Sequence, residues 1–313
     1  MTSIGGYFEL ELPQGTEYHS NAIALNTGRN ALEYILRVRG YQRVYLPYYS
    51  CEVLLEPFEK LGVDYTFYHI NVNLEADFQE SLHSDEAILY INYFGLKQDH
   101  VKALAQRYGK QLIVDNTQAF YAHPIDGIDT FYSCRKFFGV PDGAYLYCDQ
   151  ELDADLEQDY SCVRMIHLLK RIDVSAEAAY ADFREQSVKL KNNPIRKMSQ
   201  LTHRIMSSID CGGVTERRRQ NYQLLDAAIG NDNGITLPLS ADVVPMVYPF
   251  LTTDQQLRHR LIDNKVYVAT YWPNVLDWVN TNSTEYTLTT QLLPLPIDQR
   301  YNEEEIQRII ELI

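Results

Sequence analysis

The sequence predicts an open α/β fold, a mostly parallel sheet with helices on both faces in residues 1–210, followed by a smaller C-terminal α+β unit in 211–313. Three observations carry this. Short apolar runs alternate with amphipathic ones from residue 22 to about 150. The texture then turns largely helical and charged as far as about 228. A last stretch mixes "MVYPFL", "LRHRLIDNKVYVATYW" and "NEEEIQRIIELI". At 313 residues and 45% hydrophobic, the chain has enough material for a large core in one or two domains.

In chain order, "AIALN" (22–26) reads as a buried strand, and "RNALEYILRVRG" repeats apolar residues at helical spacing before stopping at Gly40. "RVYLP" (43–47) is a strand, and "CEVLLEPFEKLG" (51–62) a helix ending at Gly62 that contains Pro57. "VDYTFYHI" is again a strand. "EAILYINYF" (86–94), the helical "DHVKALAQRYG" and "KQLIVD" (110–115) complete a β-α-β series. Pro141-Asp142-Gly143 turns the chain into the strand "AYLYCD". Pro194 interrupts the helical stretch, "DCGG" (210–213) marks a turn, and "TERRRQNYQLLDAAIG" is a helix leading into the last unit.

In such a sheet, ligands sit at the carboxyl ends of strands, and three ends stand out. Thr27, Gly28 and Arg29 lie between a strand and a helix, where a glycine lets backbone approach a ligand and unpaired helix amides suit a phosphate. Thr27 reads equally as an ordinary N-cap. "LIVDNTQA" ends a strand on Asp115, with Gln118 three residues on. Asp115 is either a cap or a ligand group at the mouth of the sheet. In "YSCRKFFGVPDGAYLY", Lys136 stands among Tyr132, Phe137 and Phe138, with Ser133 one helical turn before it. Lysine is seldom fully buried without a partner. Lys136 is therefore either a surface residue or an amine held out of water for chemistry.

A phosphate cradle, a strand-end carboxylate and a lysine in an apolar setting are what pyridoxal 5'-phosphate (PLP) needs. The lysine bonds the cofactor aldehyde, the carboxylate keeps the pyridine nitrogen protonated, and amides, serine and a cation hold the phosphate. Desolvation and a nearby cation would favour the neutral, nucleophilic amine at Lys136.

Composition narrows the alternatives. A formal charge of −14 argues against a general nucleic-acid or anionic-membrane partner. Five scattered cysteines without a CxxC pair, an acidic N-terminus unlike a signal peptide, and no apolar run near 20 residues point to a cytoplasmic, reducing address. The eight histidines show no metal-ligand spacing, so no metal is expected. Neither a G-x-S-x-G elbow nor a G-x-x-x-x-G-K-[ST] loop is present.

The order of TGRNAL, LPYYSC, VDNTQA and the lysine segment with its following glycine resembles the fold-type-I PLP aminotransferases of the DegT/DnrJ/StrS group, mostly nucleotide-sugar aminotransferases. "RRRQNYQLLDAAI", "VYVATYWP" and "LLPLPIDQRYNEEEIQRIIELI" extend the likeness nearly end to end. The resemblance implies a transaminase moving an amino group from a donor such as glutamate to a keto acceptor, possibly a nucleotide-linked keto sugar. Lys136 would carry PLP and shuttle the proton, and Asp115 would pair with the pyridine nitrogen. Gln118 would contact the cofactor near its phenolic oxygen or phosphate. Gly28, Arg29 and Ser133 would bind the phosphate. Cys51, with Tyr48 and Tyr49 alongside, occupies the place of the family's stacking ring. A homodimer with the site at the subunit interface is implied as well.

The chain departs from the family's pattern in several places. Phe131 stands where the family has a serine five residues before the lysine; Ser133, three before it, is similar to other fold-type-I enzymes. Asn92 replaces a histidine before the "YFG" turn, and "KLKNNPIRKMSQ" replaces the stretch that completes the partner's site. Two other readings stay open: a PLP dehydratase or lyase, since fold does not fix chemistry, and a non-catalytic binding protein. Arg217, Arg218, Arg219 and Tyr271 are candidate substrate or interface contacts that helix charge and packing explain equally well.

Overall fold

A computed structural model describes residues 4–313. Strand β1 (Ile23–Leu25) leads into helix α1 (Gly28–Arg39), which Gly40 ends in the left-handed conformation. β2 (Arg43–Pro47) follows. The expected helix at 51–62 is split, with a single 3₁₀ turn (Glu52–Leu54) preceding α2 (Glu56–Leu61). Pro57 lies in the first turn of α2, where its missing N–H costs nothing, so it starts the helix rather than breaking it.

β3 (Asp64–Ile70), a short β4 (Ala76–Asp77), β5 (Glu86–Ile91), α3 (Gln98–Tyr108), β6 (Leu112–Asp115), β7 (Asp129–Ser133) and β8 (Ala144–Tyr147) complete the first half. The eight strands form one sheet in the order β1-β8-β7-β6-β5-β2-β3-β4. β3, β2, β5, β6 and β7 are mutually parallel. β5 and β6 are buried along their whole length, as parallel strands covered on both faces should be.

The pairing decides which ends meet. β8 runs antiparallel to both β7 and β1, so β1 points the same way as β7. The carboxyl ends of β1, β6 and β7 therefore open on one edge of the sheet. Gly143 fixes the return into β8: at φ 112°, a Cβ there would lie 2.9 Å from the Thr202 methyl and 3.0 Å from Cys134 Sγ.

Helices α4 (Ile166–Asp173), α5 (Ala176–Lys189) and α6 (Gln200–Ser207) follow. α7 (Cys211–Ile229) begins where a turn was expected. Asp210 caps its first turn by accepting from the Gly213 amide at 3.1 Å, so the two glycines are helical. β9 (Val247–Leu251) and β10 (Leu292–Pro296) make a separate antiparallel pair, Leu292 opposite Leu251. Around it lie α8 (Leu257–Asp263), α9 (Val275–Trp278), α10 (Thr284–Gln291) and α11 (Glu303–Ile310). "VYVAT" (266–270) forms no strand despite its alternation. The Arg258 guanidinium takes the carbonyls of Val268 and Ala269, as a neighbouring strand would.

Candidate active site

Three chain segments converge on the edge where β1, β6 and β7 end. At β1, Thr27 caps α1: its Oγ1 accepts from the Asn30 amide at 3.2 Å and donates to Asn30 Oδ1 at 2.6 Å. The first intrahelical bond runs from Ala31 N to Thr27 O, so the Gly28 and Arg29 amides precede it. A Cβ on Gly28 would stand 3.4 Å from the Thr117 methyl and 3.8 Å from the Phe131 ring, which places the helix start against the ends of β6 and β7.

At β6, Asp115 is 6% exposed and accepts from the Thr117 amide at 2.8 Å. Burial pushes its carboxyl above the ordinary range, while Lys136 and Thr117 pull the other way. Gln118 is fully buried; its Oε1 accepts from the Phe94 amide at 2.9 Å, and its Nε2 has no partner among the described residues. After β7 the chain makes one 3₁₀ turn, Cys134–Lys136, and Lys136 Nζ donates to Thr117 Oγ1 at 2.9 Å. Thr117 thus joins the amine to the carboxylate, one through its hydroxyl and the other through its amide.

These groups line one cavity of about 170 Å³, open at its mouth. It contains Thr27, Gly28, Arg29, Cys51, Asp115, Gln118, Ser133 and Lys136 of the residues expected from sequence. Thr117, Arg135 and Trp272 join them, and sequence reasoning missed all three. Arg135 had the better signal, sitting between Ser133 and Lys136. It lines the cavity without a hydrogen-bonded or ion-paired partner among the described residues. Burial, then the charge of Arg29, lowers its pKa to about 10. The Arg29 guanidinium is tied through Nη1 to Glu56 Oε2 at 2.8 Å.

The structure bears on two of these readings. Lys136, for which two alternatives were open, has its side chain exposed at the cavity wall, with Phe137 and Phe138 turned inward onto Phe120. Tyr49 does not line the cavity. It is fully buried, its carbonyl accepts from the Tyr93 hydroxyl and its ring lies 5.1 Å from Trp272. Cys51 and Trp272 are the side chains at the wall where a stacking ring was sought. Burial raises the Cys51 thiol pKa, with Lys136 and Arg29 opposing it.

The four further candidates also lie off the cavity wall. Arg218 is buried and Arg219 donates to the carbonyls of Ser240 and Val243. Arg217 is half-buried on the same helix. The Tyr271 ring packs 5.9 Å from Phe94, and burial pushes its hydroxyl up to about 12. Asn92 is fully buried and donates to Asn116 Oδ1 and Gln98 Oε1, bracing the strand end that carries Asp115. "KLKNNPIRKMSQ" runs beside β1 in the same chain, where Arg196 O accepts from Asn26 N and Met198 N donates to Ala24 O.

One acid and thiol cluster, Asp129, Cys148 and Asp149, has ligand spacing. The Arg39 guanidinium already fills it, with bonds of 2.8 and 2.7 Å to Asp129 and 2.5 Å to Asp149. All five cysteines are unpaired. Among the described residues, no helix is long and apolar enough to cross a membrane.

Comparison with solved structures places the fold. A DegT DnrJ EryC1 StrS aminotransferase from Brucella abortus superposes with a TM-score of 0.62 over 93% of this chain and 84% of its own, at 15% identity. The fold is that of the DegT/DnrJ/EryC1/StrS aminotransferases. Spr1654 of Streptococcus pneumoniae, provisionally assigned as a sugar aminotransferase and solved in its PLP form, shares this aminotransferase fold. Its TM-score is 0.64 and its identity 14%, covering 93% of this chain and 85% of its own. So does GDP-4-keto-6-deoxymannose-3-dehydratase (ColD), a point mutant with bound GDP-perosamine, at TM-score 0.65 and 15% identity over 93% and 87%. No family model matches the chain, and no curated protein matches it by sequence.

Proposed function

We propose that the chain is a PLP-dependent aminotransferase of the DegT/DnrJ/StrS type, taking an amino group from a donor such as glutamate to a keto acceptor, a keto sugar being the class its fold neighbours suggest. One observation carries the reading: Lys136 and Asp115 share Thr117 at the wall of a single cavity that the α1 amides also reach.

The residues fit PLP. The unpartnered Gln118 Nε2 is a buried donor beside the cavity, and Gly28 presents bare backbone on its wall. PLP would supply an aldehyde and an electron-accepting ring. Lys136 would bond the aldehyde carbon and, once released, move a proton from the substrate α-carbon. Asp115, held by the Thr117 amide, would keep the ring nitrogen protonated. The Gly28 and Arg29 amides, Ser133 and Arg135 would hold the phosphate, which gives this acidic chain a local positive end. We also propose a homodimer, in which a second copy covers the rim where Lys136 stands exposed.

The test is a spectrum of the purified protein with PLP. A visible band that is absent in Lys136→Ala, and that glutamate discharges, supports the transaminase. A band that no amino donor discharges favours the second reading, a PLP dehydratase, for which the ColD likeness is the specific observation.

A further inference from the structure

Arg218 is a charged side chain that is only 1% exposed, on α7 and outside the cavity. Burial lowers its pKa to about 10, so its presence there is costly. Its contacts indicate what offsets that cost. Nε donates to Gln299 Oε1 at 3.0 Å, and Nη1 donates to the carbonyls of Met246 at 2.9 Å and Pro245 at 3.3 Å. Its guanidinium carbon lies 4.5 Å from the centre of the Phe137 ring. Gln299 in turn donates from Nε2 to the Phe137 carbonyl at 2.9 Å.

Phe137 is the residue directly after Lys136. It is therefore gripped twice, by its ring and by its carbonyl. The same guanidinium also holds the segment that supports Gln118. The Met246 amide donates to Phe94 O, and the Phe94 amide donates to Gln118 Oε1, each at 2.9 Å. A chain of bonds thus runs from the Phe137 carbonyl through Gln299, Arg218, Met246 and Phe94 to Gln118. Its two ends are the residue that follows Lys136 and a side chain lining the cavity, which share no secondary-structure element.

We propose that Arg218 is a positioning residue: it clamps the lysine turn and the Gln118 loop to one rigid frame, and so sets where the Lys136 amine stands relative to Thr117 and Asp115. The inference rests on the PLP reading of the site. The Lys136 side chain itself is exposed and makes one hydrogen bond, so its placement depends on how the turn beneath it is held. The packing of Phe137 and Phe138 on Phe120 holds that turn to its own sheet, and Arg218 ties it to the C-terminal segment.

The experiment uses full-length Arg218→Met, which keeps an apolar stem, and Gln299→Met, which removes the grip on the Phe137 carbonyl while leaving Arg218 its other acceptors. Each is measured with PLP and glutamate for kcat, KM and the visible circular-dichroism band of Lys136-bound PLP, and without PLP for thermal melting. Loss of positioning predicts kcat lower by about 100-fold in Arg218→Met, with KM within about threefold and an altered dichroism band. Gln299→Met should move the same quantities in the same direction, less far. A lower melting temperature with kcat and dichroism unchanged would make Arg218 a packing residue and overturn the inference. If Arg218→Met does not fold, Gln299→Met decides alone on the same criteria. A wild-type protein that forms no Lys136 adduct defeats the proposed function itself and this inference with it.

Discussion

Replacing Gly28 by alanine separates the fold from the site. Gly28 opens α1 and its φ lies outside the left-handed region, so alanine meets no backbone strain. The added methyl would sit 3.4 Å from Thr117 Cγ2 and 3.8 to 3.9 Å from the Phe131 ring, ordinary packing distances that need no neighbour to move. Helix propensity favours alanine over glycine by up to about 1 kcal/mol. The variant should therefore unfold at the same or a slightly higher denaturant concentration. The same methyl occupies the wall that Gly28 shares with Thr117 and Phe131, where the α1 amides face the cavity. PLP affinity should fall at least about tenfold, a loss of about 1.4 kcal/mol. Absorbance titration with PLP and a denaturant melt, run on one preparation, read both quantities. Unchanged PLP affinity in a stable Gly28→Ala protein would show that the phosphate does not lie at this helix start.

Asp115→Asn keeps the acceptor for the Thr117 amide but removes the charge. It should retain PLP within a few fold and lose at least about 100-fold in kcat; wild-type turnover would refute the role given to Asp115. Arg39→Met leaves the Asp129 carboxylate, 1% exposed, without its bidentate partner, and should destabilise the protein by about 3–5 kcal/mol in a urea melt. A loss below about 1 kcal/mol would show that solvent reaches the pair. His203 Nδ1 donates to Glu17 Oε1 at 2.6 Å, and that bond raises its pKa above the ordinary 6.5. Burial pulls the Glu17 carboxyl up, but bonds to His203 and Tyr145 outweigh it and hold it below the ordinary 4.5. The raised histidine contributes stability fully below pH 6.5 and loses it as pH rises through the higher folded value. The lowered Glu17 contributes above 4.5 and loses it as pH falls. Wild type should thus exceed His203→Gln in urea midpoint more at about pH 5.5 than at about pH 8.5. An equal gap at both would contradict the assignment.

The end of β6 was legible because a parallel strand buried on both faces is a continuous apolar run, so "LIVD" stops visibly where polarity returns. β7, with threonine, tyrosine and serine in "DTFYS", is no such run and was not legible as a strand. Strand order then places Asp115 and Ser133 at the same edge. The grouping with Gly28 depends on β1 pairing antiparallel with β8, a long-range register that no local pattern encodes. What was left open or misplaced has local causes. Lysine beside two phenylalanines left enclosure and exposure both open; both rings are taken by Phe120, and the exposed side chain still reaches Thr117 at the cavity wall. Tyr49 stands two positions before a cavity residue, Cys51, yet a side chain at that spacing need not share its surroundings, and here it faces the core. Trp272 comes from a segment more than 100 residues beyond the lysine, and only the fold, which brings that segment to the ends of β5 and β6, reveals it.

Borohydride reduction of the protein incubated with PLP, followed by peptide mapping, tests the central claim most directly. The pyridoxyl-phosphate group should be recovered on the peptide containing Lys136, and on no other lysine in stoichiometric amount. Recovery on a different lysine, or none at all with PLP in excess, would contradict the account.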